Sequence, residues 1–282
     1  MSVNNIPITY QQRKVIKKIA LSVLLFICLL VIMLPLYWMI SSGFRSDAEL
    51  FSQRVPYIPR DISLEQIERV LLNSSFPRYY FNTIVYAAGV VVLNGIASSL
   101  GGYGLARLEL PAKKLFARIV LFGYMFSPIL LAIPMFILWR EIGMVDSYIG
   151  MILALTGVVL PFSLWIMWKF FQTVPESLEE SAQMAGATQF EAFLHVSLPM
   201  AKPGVLAVSI FAYASAWNAF TIPLILAPSP EMYHLTVGIN EFQRQATVDW
   251  GAIMAGVTLS IIPSLLFVYF LQKHILEGFK MN

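Results

Sequence analysis

The sequence holds one cysteine, Cys28, in 282 residues, and it lies inside a long apolar run. That excludes a disulfide framework, and it leaves no cysteine-based metal spacing and no catalytic thiol to nominate. Charge is nearly as scarce, since Asp, Glu, Lys and Arg make up 12% of the chain, against about 25% in a soluble domain. The three histidines, His195, His234 and His274, are scattered and form no metal-ligand pattern. No Gly-x-x-x-x-Gly-Lys-Ser/Thr loop is present, so ATP is not bound by that route, and no Gly-x-Ser-x-Gly elbow offers a nucleophile. These absences nominate no catalytic residue, no cofactor and no metal.

What is plentiful is apolar. Hydrophobic residues make up 58% of the chain and the mean hydropathy is +0.71, which describes an integral membrane protein. The net charge of +3 does not point to nucleic acid, because the basic residues flank apolar runs instead of sharing one polar face. Residues 1–18 form a polar tail ending in Arg13, Lys14, Lys17 and Lys18. Residues 19–40 follow without a charge, long enough to cross about 30 Å of hydrocarbon at about 1.5 Å per residue. This run exceeds the roughly 7–15 residues of a cleaved signal, so it reads as an anchor with its N-terminus in the cytoplasm.

Five further runs follow: 83–105, 119–138, 148–168, 204–226 and 252–271. No Asp, Glu, Lys, Arg or His lies in the apolar core of any of them. A charge at a helix centre costs roughly 2.5–3.5 kcal/mol on insertion and usually marks ion coupling. A solute carrier without one must draw its energy elsewhere. The second run carries Gly89, Gly95, Ala97, Ser98, Ser99, Gly101, Gly102 and Gly104, so it reads as a closely packed interior helix. Pro128 and Pro134 should kink the third run, Pro161 lies in the fourth, and Pro263 is expected to interrupt the last. Loop 44–81 balances five Arg with five acidic residues, and 63–72 can form a short surface helix. Residues 228–250 read as an outer connection bearing Glu231, Glu241, Arg244 and Asp249. With both termini inside, twelve Lys and Arg are cytoplasmic and seven outside, five of those in the acid-balanced loop.

One polar, motif-dense stretch stands out, 173–203. Thr173-Val174-Pro175-Glu176 has the marks of a helix start, and Thr188-Gln189-Phe190-Glu191 repeats the capping pattern. Gly186-Ala187 then reads as the bend between two short helices and Pro199 as the end of the second. On a helix, Ser181 with Ala185 and Ala182 with Gly186 would make a small-residue face open to a partner.

Counting from Glu180, Ser181-Ala182 follow at once, Gly186 comes six residues on, and Val196-Ser197-Leu198-Pro199 closes the segment. This resembles the Glu-Ala-Ala signature of ABC importer permeases, with Ser181 in place of the first Ala and Val196 in place of Ile. Tyr103-Gly104-Leu105-Ala106-Arg107 is similar to the family's close of the second span, and Trp217-Asn218-Ala219-Phe220-Thr221-Ile222-Pro223-Leu224 to its sugar-transporting branch. The resemblance spans roughly residues 64–278 and is to the carbohydrate-type, maltose-transporter-like permease subunits, the binding-protein-dependent transport inner-membrane components.

The resemblance implies an all-α membrane protein of type I importer fold, with six transmembrane helices and both termini cytoplasmic. It divides the chain into a cytoplasmic tail (1–18), a first transmembrane helix (19–43), an extracytoplasmic loop (44–81), a permease core (82–272) and a C-terminal tail (273–282). Implied partners are a second, related permease subunit, two ATP-binding cassette ATPase subunits, an extracytoplasmic solute-binding protein and membrane lipid, with no nucleic acid. The chain itself would be non-catalytic and would sit in a bacterial inner membrane, importing a carbohydrate or related polyol. Glu180, Ser181, Ala182, Gly186, Ala187, Leu198 and Pro199 would serve ATPase coupling. Trp217 and Asn218 would line the substrate pathway, an aromatic beside an amide being suited to a hydroxylated solute; an interfacial Trp anchor and a helix-to-helix bond from Asn218 are the alternative. An ion-coupled secondary transporter or a membrane-embedded lipid-modifying enzyme are the rival functions, and the sequence shows neither inverted repeats nor convergent acid, base or metal groups.

Overall fold

The computed structural model describes residues 10–109, 111–244 and 248–279. The ends of the two tails assigned above, 1–9 and 280–282 with Lys280, lie outside the described residues. Among the described residues the chain is helical, with no strands. α1 (Tyr10–Gly43) leads to short α2 (Asp47–Leu50) and α3 (Glu65–Leu72), then to long α4 (Phe76–Arg107), which opens with Pro77 where its missing N–H costs nothing. α5 (Lys113–Gly123), α6 (Pro128–Glu141) and α7 (Tyr148–Phe171) follow, the last capped by the Ser147 hydroxyl accepting from the Gly150 N–H. α8 (Glu176–Met184), α9 (Gln189–Ala192), a π-helical turn (Phe193–Ser197) and α10 (Leu198–Met200) make up the polar insert. α11 (Lys202–Trp217), α12 (Thr221–Leu226), α13 (Leu235–Arg244) and α14 (Trp250–Phe279) complete the chain.

Among the described residues, four helices are each long and apolar enough to cross a membrane: α1 from Arg13, α4, α7, and α14 as far as Phe270. α4 is the hub, lying along α7 and α11. Its small residues make that possible: a Cβ on Gly102 would sit 2.7 Å from the Met167 Cβ and 2.8 Å from the Trp168 nitrogen. Only glycine permits so close an approach. α1 is different, with residues 13–36 exposed all round; it meets the rest of the chain at its far end, where Gly43 lies against Met254, Ala255 and Thr258.

Several expectations need correction. The third run is not one kinked span but a pair, α5 and α6, bent by 97° across Tyr124–Ser127. Pro128 has no N–H and disfavours helix at Ser127, whose ψ of 138° is extended, so the chain turns sharply where a kink within one span was expected. The fifth run breaks too, between Trp217 and Thr221. Conversely, Pro263 does not interrupt the last helix, which runs continuously past it. Gly186 does not share a helical face with Ala182, because α8 has ended by then. The connection between α12 and α14 carries α13, packed on α4 and α14 instead of merely bridging them.

Candidate functional site

The polar insert hangs from one buried ion pair. Arg107 closes α4, and its Nε lies 2.8 Å from Glu179 Oε1, while its Nη2 donates to the Val174 carbonyl at 2.7 Å. The Tyr103 hydroxyl, one turn earlier on α4, donates to the other Glu179 oxygen at 2.9 Å. Both charged side chains are over nine-tenths buried, at 8% and 6% exposure. Glu179 is thus the single buried residue of α8, placed at the start of a helix whose N-terminal dipole favours a carboxylate. Beneath it the Tyr103, Phe171 and Phe193 rings meet at 4.7–6.0 Å, fastening the ends of α4 and α7 to the π-helical turn.

The bend is built from backbone. Gly186 has φ of +100°, its N–H donates to the Gln183 carbonyl at 2.9 Å, and the Ala187 N–H donates to Ala182 at 3.1 Å. This paired closure is the Schellman end of a helix, which glycine serves because its φ is positive. A reciprocal capping box follows at once: the Thr188 hydroxyl accepts from the Glu191 N–H at 3.3 Å, and Glu191 accepts from the Thr188 N–H at 2.7 Å. The hydrogen bonds from Thr188 hold the Glu191 carboxyl below its ordinary value. The second arm ends one residue beyond Pro199, at Met200, with Ala201 as its cap, and turns by 75° into α11.

Of the residues assigned to coupling, Glu180, Ser181, Gly186 and Pro199 are exposed, and Ala182, Ala187 and Leu198 half-buried. Glu180 to Ala187 share one turn-linked surface, while Leu198 packs with the aromatic knot under the second arm. Around them stand large apolar side chains left mostly uncovered by the described residues: Met184 is 89% exposed and Phe190 60%. Outside a membrane, such a patch marks a protein contact. Sequence reading passed over Glu179 and its pairing with Tyr103 and Arg107. The Tyr103 to Arg107 stretch was noted, but no spacing rule joins residues 72 apart.

The second candidate region lies at the two helix breaks. The Gly123–Pro128 turn and the Asn218–Ile222 turn together frame a cavity of about 520 Å³, walled on its third side by α7 between Leu155 and Pro161. Asn218 lines it, with its Nδ2 donating to the Ala214 carbonyl of its own helix at 2.8 Å rather than to a neighbour. Trp217 points the other way. It is 6% exposed, stacked on Tyr213 at 5.5 Å and edge-on to Tyr80 at 6.1 Å, so it is neither an interfacial anchor nor part of the cavity wall. Ser127 and Thr221 add hydroxyls to the lining, and Tyr124 and Phe220 add rings. Such a mixture suits a solute with apolar faces and hydroxyl edges.

Residues 96–280 match the family model described as binding-protein-dependent transport system inner membrane component. A diacetylchitobiose uptake system permease protein of Streptomyces coelicolor is 28% identical over 255 residues, covering 89% of this chain and 84% of that one. The trehalose/maltose transport system permease protein of Thermococcus litoralis is also 28% identical, over 95% of this chain and 96% of its own. Among solved structures, a bacterial ABC transporter involved in the import of the acidic polysaccharide alginate superposes with a TM-score of 0.81. It is 26% identical, and the match covers 94% of this chain and 98% of that one.

Proposed function

This chain belongs to the family of binding-protein-dependent transport system inner membrane components, and from that premise we propose that it is the membrane-spanning subunit of an ATP-driven importer for a carbohydrate or related polyol. It is a multi-pass protein of the inner membrane. In the proposed arrangement α1, α4, the α5–α6 pair, α7, α11 with α12, and α14 make six crossings, with both termini in the cytoplasm. Residues 173–203 then lie on the cytoplasmic side.

The observation that carries this reading is the way the insert is held. Glu179 anchors α8 rigidly to the end of α4, while Met184 and Phe190 project uncovered from the same helix pair. Force applied to those side chains reaches α4 through a buried ion pair and α7 through the aromatic knot. That is what a lever between an ATPase and a bundle needs. Glu180, Ser181, Ala182, Gly186 and Ala187 are the proposed contact residues, with Leu198 and Pro199 fixing the second arm. The chain hydrolyses nothing itself; two ATPase subunits, a second related permease packed along the exposed α1, and a solute-binding protein on the outer face complete the machine. The sugar class is supported by the relatives' names and by the hydroxyl and aromatic lining of the cavity.

The test is purification of the tagged chain from its native membrane in mild detergent, with mass spectrometry of its companions. An ATPase, a second permease and a solute-binding protein are expected, and uptake should persist when ion gradients are collapsed while ATP is maintained. Recovery of this chain alone from cells that express those partners, or uptake that stops with the gradient, would overturn the reading.

A further inference from the structure

The break between α11 and α12 leaves backbone groups that the helix itself cannot satisfy. The Ala219 carbonyl would ordinarily accept from residue 223, but that residue is Pro223 and has no N–H. Its bond comes from outside the helix: the Thr236 hydroxyl donates to it at 2.6 Å. The Ala216 carbonyl, one turn earlier, receives the His234 Nε2 at 3.0 Å in addition to a long 3.3 Å bond from the Ala219 N–H. Both alanines line the cavity, beside Ser215, Asn218 and Thr221.

The two donors stand two residues apart where the outer segment enters α13, and that segment is itself fixed to α4. The His234 ring is fully buried and lies parallel to Tyr86 at 6.2 Å, with an angle of 8° between planes. The Leu235 N–H donates to the Thr83 hydroxyl at 2.8 Å. A carbonyl only accepts, so Nε2 carries the ring proton; the bare Nδ1 accepts from the Thr236 N–H at 3.3 Å and lies 2.9 Å from the Thr236 hydroxyl oxygen, whose single proton goes to the Ala219 carbonyl at the shorter 2.6 Å. Burial pushes the imidazole down to about 4, which keeps it in this neutral form.

We propose that His234 and Thr236 are positioning residues that hold the broken wall of the cavity open, so that solute meets Asn218 and Thr221 in a set geometry. Irregular backbone at membrane depth persists only where protein or a cavity satisfies it. Here the protein side is these two donors, and the cavity side is left free for a hydroxylated ligand. That ligand's identity rests on the import reading above; the clamp does not, and its test involves neither solute nor ATP.

The chain's single cysteine allows a direct measurement. In a Cys28→Ser, Thr221→Cys background, the labelling rate by a small cationic methanethiosulfonate is measured in native membranes. Thr236→Val keeps the shape but removes the donor, and His234→Asn cannot place its amide nitrogen at the Nε2 position. Each should lower the rate about fivefold, the effect of one lost hydrogen bond, because the wall is then free to close over residue 221. Thr236→Ser and His234→Gln, which keep a donor there, should restore it. Tyr79→Phe removes the Tyr79–Glu241 contact of the same outer helix without touching the wall, and should leave the rate unchanged. Membrane abundance is measured alongside, and Thr236→Ala carries the test if Thr236→Val does not accumulate. Rates within twofold of the parent in Thr236→Val and His234→Asn, or an equal change in Tyr79→Phe, would overturn the clamp. Altered labelling in a chain that imports nothing would leave the clamp standing and sink the import reading alone.

Discussion

Arg107 and Glu179 meet end to side across two helices: the guanidinium brings both Nε and Nη2 to 2.8 Å from one carboxylate oxygen, and Tyr103 holds the other. A buried pair of this kind is costly to break from one side, because the surviving charge is left without a partner; the loss is about 3 kcal/mol or more. Glu179→Ala should therefore speed hydrogen exchange of the α8 amides roughly a hundredfold. Glu180→Ala, at an exposed position, should change it little. If the two variants exchange alike, the insert is not hung from Glu179.

Gly186 tests the contact surface instead of the anchor. Any residue with a Cβ is strained at φ of +100°, by roughly 1–2 kcal/mol, yet that Cβ would meet nothing among the described residues within 4 Å. Gly186→Leu should accordingly insert at normal abundance and still support ATP hydrolysis in the assembled complex, while uptake fails. Full transport by Gly186→Leu would remove Gly186 from the coupling surface.

Arg69 joins Asp47 at 2.8 Å and Asp249 at 3.4 Å, tying α2 and α3 to the start of α14. The Arg69 hydrogen bond holds the Asp47 carboxyl below its ordinary value, despite partial desolvation. A depressed carboxylate contributes stability above its unfolded value, near 3.9, and that contribution disappears as pH falls through the lower folded value. The thermal midpoint of the wild-type chain in detergent should exceed that of Asp47→Asn by a constant margin from pH 7 to 5. The margin should close below about pH 4. A margin that already shrinks between pH 7 and 5 would contradict the pairing.

The local features of the insert were legible because each is written within a few residues. Thr188 and Glu191 are three apart, and Gly186 sits between two helix signatures, so capping and turn chemistry decide them. Glu179 was not legible, since its meaning comes from Arg107, far away on another helix. Proline was read correctly as punctuation but not in degree. Pro161 and Pro263 are absorbed by continuous helices, whereas Pro128 follows an extended Ser127 and accompanies a 97° turn. Whether a proline kinks or breaks depends on what stands ready to satisfy the freed carbonyl, as Thr236 does for Ala219 ahead of Pro223, and that is a tertiary fact.

Trp217 and Asn218 are neighbours in sequence with separate roles in the fold, so their variants should separate cleanly. Trp217 is sandwiched by Tyr213 and Tyr80, and Tyr213 in turn stacks on Phe267 of α14 at 3.9 Å. Removing the indole opens a cavity in that stack, and Trp217→Ala should cost about 3–5 kcal/mol, read as lower abundance and a lower thermal midpoint. Asn218 is exposed to the cavity and contributes one bond to its own helix, at a cost of about 1 kcal/mol when lost. Asn218→Ala should therefore accumulate normally. Its uptake of the solute carried by the co-purifying binding protein should show a raised half-saturating concentration, with the maximal rate within about twofold, because an interaction made equally in the bound and transition states changes KM alone. Unchanged uptake kinetics in Asn218→Ala, together with lost affinity in the better-packed Trp217→Phe, would reverse the assignment and put the indole, not the amide, on the solute path.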